Sequence, residues 1–174
     1  MINKNNVHGI DHIGLTVPDI DKACEFFEEA FNAVVLYDTY TKGQPVRNND
    51  FTHHRLRIPN SMGETAIRMI SLPNGPGIEL FEFIGPDQSS ANVPSDIEWQ
   101  HVAFYVDDID FAIEQVERAG GRRNSNPVNL SGIEAGDKNQ FCYCITPWGS
   151  SIELITYPTP QPYLKNSTRR KWTV

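Results

Sequence analysis

The sequence predicts an α+β fold built from two similar halves, each running strand, helix and several further strands, with sheets that face each other and helices outside. One observation is an internal repeat: residues 12–30 and 101–119 agree at nine of 19 positions, where roughly one agreement is expected by chance. A second is that both copies begin with a short apolar run and continue at helical spacing. A third is the tripeptide Ile-Glu-Leu, which occurs late in each half, at 78–80 and 152–154.

The first half is predicted to hold one helix among five strands. The helix begins after Pro18 with Asp19 as its N-cap and runs to Phe31, because apolar residues recur there every three or four positions. Alternating or β-branched runs bounded by Gly, Pro and polar residues predict the strands. These strands are expected at 10–17, 34–41, 52–58, 66–72 and 78–84, with a polar loop at 42–50 and a turn at 73–77.

The second half repeats this plan after a polar linker. A strand at 99–106 leads into a helix over 108–119, which Gly120 and Gly121 end as a C-cap signal. Further strands are expected at 122–124, 141–146 and 152–156, with a long loop at 127–139. The predicted organisation is a first module at 8–84, a linker at 85–97, a second module at 98–158 and a Pro-rich, then basic tail at 159–174.

Composition and charge disfavour several classes of function. The chain has 174 residues, of which 39% are hydrophobic and 21% charged, and this balance suits one globular domain or two small modules. A net charge of −7 disfavours nucleic-acid and anionic-membrane partners. No apolar run approaches the roughly 20 residues of a membrane span. Three cysteines argue against a disulfide framework and indicate a cytoplasmic protein, with Cys142 and Cys144 expected as small core side chains.

One histidine stands at the same place in each repeat, and strand alternation predicts where it points. His12 and His101 each lie on one face of a predicted strand, and the residues next to them point to the other face. That other face is the more apolar one, so it is the better candidate to pack on a helix. Glu79 and Glu153 likewise stand between the apolar residues of the two Ile-Glu-Leu tripeptides. Each half therefore contributes one histidine early and one glutamate late, both on the less apolar face of a strand.

Two imidazoles and two carboxylates suit a borderline divalent ion. A buried carboxylate needs a counter-charge, and mixed nitrogen and oxygen donors favour Zn²⁺, Ni²⁺, Co²⁺, Mn²⁺ or Fe²⁺ over Ca²⁺ and Mg²⁺. The predicted metal ligands are therefore His12, Glu79, His101 and Glu153. A lone strand histidine or glutamate is usually an ordinary core or surface residue, and only the duplication of both favours the metal. His8, His53 and His54 have no counterpart in the other half and are not expected to be ligands.

Four segments, DHIGLTVPDID, GIELFEF, WQHVAFYVDDID and TPWGSSIELI, together resemble the vicinal oxygen chelate superfamily. This superfamily includes glyoxalase I, methylmalonyl-CoA epimerase, extradiol dioxygenases and the bleomycin- and fosfomycin-resistance proteins. The resemblance covers about residues 8–158. It implies paired βαβββ modules whose mixed sheets curl around one metal ion held by the same four residues. Members of the superfamily are often dimers, and some build the site across two chains, so a homodimer is expected.

The resemblance also implies an enzyme whose substrate is a small molecule with two adjacent oxygens. Glutamate at position 79 is similar to glyoxalase I, whereas the epimerases typically carry glutamine there. The expected activity is therefore of the glyoxalase type, a lyase or isomerase similar to lactoylglutathione lyase. In this reaction the metal polarises a carbonyl, and Glu79 or Glu153 moves a proton through an enediolate. The alternatives are a metal-dependent epimerase, an Fe(II) dioxygenase, or a drug-binding resistance protein without chemistry.

The C-terminal tail gathers basic residues within an otherwise acidic chain. These residues are Lys165, Arg169, Arg170 and Lys171, next to Trp172. Either they form a solvated tail, or the tail folds over the site and attracts a carboxylate or phosphate of the substrate. The walls of the pocket are expected from the loops at 42–50 and 127–140, whose side chains do not identify a ligand.

Overall fold

The structure is a computed structural model that describes residues 9–165, 167 and 170–171. The strands are β1 (His12–Val17), β2 (Val34–Tyr40), β3 (Gly63–Ser71), β4 (Gly77–Ile84), β5 (Val102–Tyr105), β6 (Arg122–Arg123), β7 (Val128–Asn129), β8 (Gln140–Ile145) and β9 (Ser151–Thr156). The α-helices are α1 (Ile20–Phe31), α2 (Asp50–Leu56) and α3 (Ile109–Arg118), with 3₁₀ turns at Gly132–Glu134 and Pro162–Lys165. None of the helices in this described part is long and apolar enough to span a bilayer.

The chain divides into two compact units, and each contains one mixed sheet. The first unit takes the described residues up to Cys24 together with Ala33–Gln88, and the second takes Glu25–Asn32 with the described residues from Ser89 onward. Strand order is β1-β4-β3-β2 in the first unit and β5-β9-β8-β6 in the second, where β7 also pairs with β8. The pairs β1–β4 and β5–β9 are parallel, and the remaining pairs are antiparallel. The predicted α+β fold of two related modules is confirmed.

Alternation along the last strand of each unit determines which side chains the sheet buries. Ile78 and Leu80 of β4, like Ile152 and Leu154 of β9, are at most 4% exposed. In the second unit α3 packs its apolar stripe against the buried face of β8 and β9. The buried residues of that stripe are Ile109, Ala112, Ile113 and Val116. The residues that alternate with these apolar ones, including Glu79 and Glu153, point to the opposite face of each sheet.

Local hydrogen bonds fix the ends of the two long helices as the sequence predicts. The Asp19 carboxylate accepts bonds from the backbone N–H groups of Asp21 and Lys22 at the start of α1, at 3.0 and 3.1 Å. Asp108 does the same for α3 through the N–H of Phe111. At the other end of α3, Gly120 has φ of +90° and the N–H of Gly121 donates to the carbonyl of Val116. This is the Schellman arrangement expected of a glycine C-cap.

The segment predicted as a strand at 52–58 is a helix instead, and that prediction is wrong. The side chain of Asn49 accepts a bond from the N–H of Thr52 and thereby starts α2. The helix ends at Arg57, whose φ of 55° is left-handed. Thr52 and His53 are adjacent and both buried, which a strand with one covered face does not allow. Over seven residues the helical and strand periodicities are too short to separate, so the cap decides.

Aromatic side chains of α1 pack within the second unit. From Glu25 onward the helix belongs to that unit. Phe31 stacks on Phe104 of β5 with ring centroids 4.2 Å apart, and Phe26 meets Trp148 edge-on at 5.4 Å. Trp148, which follows β8, thus has an aromatic packing role next to Phe27 as well.

Candidate metal centre

In the first unit His12 and Glu79 lie on neighbouring parallel strands. The register pairs His12 with Gly77 and Gly14 with Glu79, so the glutamate is diagonal to the histidine across β1 and β4. The Nε2 atom of His12 is 3.4 Å from an Oε atom of Glu79. The imidazole is 40% exposed and the carboxylate 21%, so both groups remain open to solvent and to ligands.

In the second unit His101 and Glu153 form the same arrangement at closer range. The Nε2 atom of His101 is 2.9 Å from an Oε atom of Glu153, with side chains 23% and 13% exposed. Glu153 pairs with Ala103, two residues after the histidine, just as Glu79 pairs with Gly14. The sequence repeat is therefore also a repeat of register and of side-chain contact. The structure brings together the histidine and the glutamate of each half.

The second ring nitrogen of each histidine is held by the residue just before it. The Nδ1 atom of His12 is 2.8 Å from the carboxylate of Asp11, and this hydrogen bond raises the pKa of His12. The Nδ1 atom of His101 is 2.7 Å from the amide oxygen of Gln100. The amide nitrogen of Gln100 donates to the carbonyl of Pro94, which orients the oxygen toward the ring. The carboxylate of Asp11 and the amide oxygen of Gln100 are acceptors, so Nδ1 donates in both cases and the ring turns its Nε2 atom toward the glutamate.

A tyrosine that belongs to neither the repeat nor the predicted ligand set lies beside the second pair. Tyr143 of β8 is directly opposite Glu153, and its ring meets the ring of His101 edge-on at 5.2 Å. Burial and the nearby carboxylate raise the pKa of the Tyr143 phenol. The flanking Cys142 and Cys144 are fully buried, as predicted for small core side chains. Their burial is the signal that could have placed Tyr143 on the opposite, open face.

In the part of the chain that the structure describes, the contacts found for His53 and Lys171 involve neither His–Glu pair. His53 is buried on α2, where its Nε2 atom is 3.0 Å from the carbonyl of Met62. His8 lies outside the described residues, and so do Arg169 and Trp172 of the basic cluster. Lys171 contacts the carboxylate of Glu134, and its backbone N–H donates to the hydroxyl of Tyr163 at 3.0 Å. The ammonium group of Lys171 is therefore already paired with a carboxylate of the chain.

Each pair offers one imidazole nitrogen and one carboxylate, which is half of the predicted ligand set. Among the described residues, neither unit gathers three or more His, Cys, Asp or Glu side chains as a group that could hold a metal ion. The donor chemistry of the pairs, one imidazole oriented through Nδ1 with its Nε2 atom beside a carboxylate, nevertheless fits a borderline divalent ion. The carboxylates are equally suited to accept a proton from a carbon acid.

Comparison with known proteins identifies the family. Residues 9–129 match the family described as the Glyoxalase/Bleomycin resistance protein/Dioxygenase superfamily. The chain belongs to this superfamily. The resemblance seen in the sequence is thereby confirmed, and with it the architecture of paired modules that members of the superfamily share.

Relatives within the superfamily span nearly the whole chain. A 2-epi-5-epi-valiolone epimerase from Actinomyces sp. is 32% identical over 158 residues, which are 88% of this chain and 82% of the epimerase. A glyoxalase family protein from Bacillus cereus is similar in structure, with a TM-score of 0.64, 20% identity, and coverage of 90% of this chain and 98% of that one. A mutant of the fosfomycin resistance protein FosX from Listeria monocytogenes, solved with Mn(II) and 1S,2S-dihydroxypropylphosphonic acid, has a TM-score of 0.58 at 16% identity, with coverage of 92% and 99%. At these identities the two structures support the fold alone.

Proposed function

We propose that this member of the superfamily is a divalent-metal-dependent epimerase that inverts a carbon next to a carbonyl group. The relative from Actinomyces, an epimerase that matches most of both chains, is the observation that supports this proposal. It favours the epimerase alternative over the glyoxalase-type lyase that position 79 suggested. The compound in the name of that relative, 2-epi-5-epi-valiolone, is the first substrate to test.

The proposed metal ligands are His12, Glu79, His101 and Glu153. Each His–Glu pair supplies two of these ligands, so a metal ion with four protein ligands requires both kinds of pair. Asp11 and Gln100 hold the outer nitrogen of each imidazole, which orients the proposed ligating nitrogen toward the glutamate. A divalent ion bound there would act as a Lewis acid toward the substrate carbonyl. Of the candidate ions, Zn²⁺, Ni²⁺, Co²⁺, Mn²⁺ and Fe²⁺ all suit this donor set.

The duplicated carboxylates suit inversion of configuration. An epimerase must remove a proton from one side of a carbon and deliver a proton to the other side. Glu79 and Glu153 occupy equivalent places in the two units, so each is a candidate to serve one side of the substrate. Both carboxylates are partly buried, at 21% and 13% exposed, and remain accessible to a substrate. In the proposal one glutamate takes the proton and the other returns one.

The test combines metal content with stereochemistry. The purified chain, loaded in turn with each candidate ion, is incubated with 2-epi-5-epi-valiolone in D₂O and followed by NMR. We expect an inverted product that carries deuterium at one carbon, loss of turnover after chelation, and recovery on adding the ion back. Glu79→Gln and Glu153→Gln should each reduce turnover by about 10²–10⁴-fold. A protein that binds metal stoichiometrically and leaves both the configuration and the hydrogen isotope of the substrate unchanged would refute the epimerase.

A second candidate is the glyoxalase-type reaction, which the glutamate at position 79 favours. It uses the same carboxylates to move a proton between two adjacent carbons. Methylglyoxal with glutathione is the matching assay on the same metal-loaded protein. Turnover of that mixture together with no inversion of 2-epi-5-epi-valiolone would select the lyase. Stoichiometric metal with oxygen uptake would instead select an Fe(II) dioxygenase, and absence of bound metal a binding protein.

A further inference from the structure

A buried carboxylate holds two arginine side chains at one end of the first sheet. Glu64 of β3 is fully buried. Its two carboxylate oxygens contact the Nη1 atom of Arg47 at 2.8 Å and the Nη2 atom of Arg55 at 3.4 Å. The backbone of Arg47 also pairs with that of Glu64 in both directions, at 2.9 and 3.2 Å. The guanidinium of Arg47 lies over the ring of Tyr40 at 3.6 Å, which fixes the plane of the group.

The two arginines bring more positive charge than the glutamate requires. One guanidinium is enough to neutralise one carboxylate, so the cluster carries an excess charge of one within a chain of net charge −7. Each guanidinium uses a single nitrogen on Glu64, and neither has another acceptor among the described residues. Arg47 is 36% and Arg55 44% exposed, so the remaining N–H donors are accessible. A guanidinium with free, oriented donors is the group that binds oxyanions best.

These donors line an open pocket of about 400 Å³. Its walls are Arg47, Asn49, Phe51, Thr52 and Arg55. The amide oxygen of Asn49 is used by the N–H of Thr52, which leaves the amide nitrogen as a further donor. Phe51 is 74% exposed and supplies an apolar wall beside Arg55. The pocket thus combines cationic donors with one aromatic surface.

The geometry points to an oxyanion-binding site: we propose that Arg47, Arg55 and Asn49 bind a carboxylate or a phosphate group whose organic body rests on Phe51. Glu64 is opposite Phe83 in the register, and Phe83 shares a strand face with Glu79 four residues earlier. The pocket therefore belongs to the same face of the first sheet as the His12–Glu79 pair, about 13 Å along the strand. Use of the pocket by an acidic substituent of the substrate rests on the proposed function, whereas anion binding itself does not.

The experiment measures anion binding without turnover. The full chain loaded with Zn²⁺ is titrated at constant ionic strength with inorganic phosphate and, separately, with benzoate, and the backbone amides are followed by ¹H–¹⁵N NMR. We expect saturable shifts at residues 47–55 with at least one anion. Tighter binding of benzoate assigns the site to a carboxylate with an apolar body, and tighter binding of phosphate assigns it to a phosphate ester. Shifts confined to amides near the two histidines would report the metal instead and overturn the proposal.

Arg55 is the residue to change, since Arg47 keeps Glu64 paired when Arg55 is removed. Arg55→Gln should weaken binding at least about five-fold. Arg55→Lys keeps the charge beside Glu64 and should fall between the wild type and Arg55→Gln, so it carries the test if the glutamine variant does not fold. The control is Arg118→Gln, which makes the same change of charge on α3 at a residue that does not line the pocket. Equal affinities of the Arg55 and Arg118 variants would overturn the site.

Discussion

At the scale of single residues, the groups behind the histidines matter as much as the histidines. Asp11 and Gln100 each hold an Nδ1 atom and leave Nε2 facing a glutamate. A metal-binding imidazole oriented in this way loses no conformational freedom when the ion arrives. The two units use a charged and a neutral acceptor for the same purpose, and the hydrogen bond to the charged acceptor, Asp11, raises the pKa of His12.

Gln100→Leu should therefore weaken metal binding while leaving all four proposed ligands in place. Removing the acceptor frees the ring of His101 to rotate and to change tautomer, and outer contacts of this kind are worth about 10-fold or more in metal affinity. The measurement is a competition titration of the metal against a chelator. Gln115→Leu is the control, because the hydrogen bond of that side chain is to Arg118 of the same helix, α3. Unchanged affinity of the Gln100 variant would show that His101 is not a ligand or is oriented by other means.

The sequence could predict the two pairs but not the contacts around them. Duplication and strand alternation are enough to place His12 with Glu79 and His101 with Glu153, because both depend on the backbone alone. The contacts of Asp11, Gln100 and Tyr143 depend on rotamers and on register between strands that are far apart in sequence. The partners of Glu64 depend in the same way on α2, whose residues the sequence predicts to form a strand.

At the scale of elements, Arg68 connects three parts of the first unit. It lies on β3, and its guanidinium binds both carboxylate oxygens of Asp38 on β2, at 2.6 and 3.2 Å. It also contacts Asp21 on α1 at 2.9 Å. The side chain is only 16% exposed, and the ion pair with Asp38 raises the pKa of Arg68. A planar, forked cation is needed to reach both carboxylates at once.

Arg68→Lys should lower the free energy of unfolding by about 2 kcal/mol, since an ammonium group keeps the charge but cannot form the two parallel bonds to Asp38. The measurement is urea denaturation followed by circular dichroism. Arg123→Lys is the matched control, because the contact of Arg123 with Glu117 is 3.4 Å long and both side chains are about half exposed. That exposed pair should contribute at most about 0.5 kcal/mol. Equal effects of the two substitutions would contradict the role of Arg68.

Elements with a cap and a long apolar stripe were predictable, and the short one was not. For α1 and α3 the aspartate caps, the helical spacing and Gly120 all agree, so several independent signals support the same element. The helix α2 has only seven residues and one cap at Asn49, and its apolar residues fit a strand equally well. The packing of Phe26 and Phe31 of α1 within the second unit is a tertiary property that periodicity does not contain.

At the scale of the whole molecule, the repeat explains why the fold is easier to predict than the reaction. Two copies of one plan fix the sheets, the helices and the equivalent places of the two His–Glu pairs. The same plan serves lyases, epimerases and binding proteins, so the reaction depends on the pocket walls, which the repeat does not share. Glutamate at position 79 pointed to the lyases, whereas the epimerase relative favours the other branch. One ligand type is thus a weaker guide than likeness over 158 residues.

The buried thiols couple the stability of the molecule to alkaline pH. Burial raises the pKa of Cys144 from 9.0 to about 12 and also raises that of Cys142. Below pH 9 the Cys144 thiol is protonated in both the folded and the unfolded chain. Between pH 9 and 12 only the unfolded chain loses this proton, so stability must fall as the pH rises through that range.

Urea denaturation at intervals from pH 8 to 11 should therefore show a falling midpoint above pH 9 in the wild type and a shallower fall in Cys144→Ala. Burial also raises the pKa values of Tyr143 and Tyr157, and these phenols destabilise the fold in the same direction above pH 10. Both tyrosines are present in the two proteins, so the difference between the two slopes reports the loss of the Cys144 thiol together with its effect on Cys142. Cys144→Ala lowers stability at every pH by leaving a cavity, and only the slope is diagnostic. Cys144 is completely buried between β6 and β9, and burial disfavours the thiolate. Parallel curves would contradict the prediction, because they would mean that Cys144 ionises as readily in the folded chain as in the unfolded one.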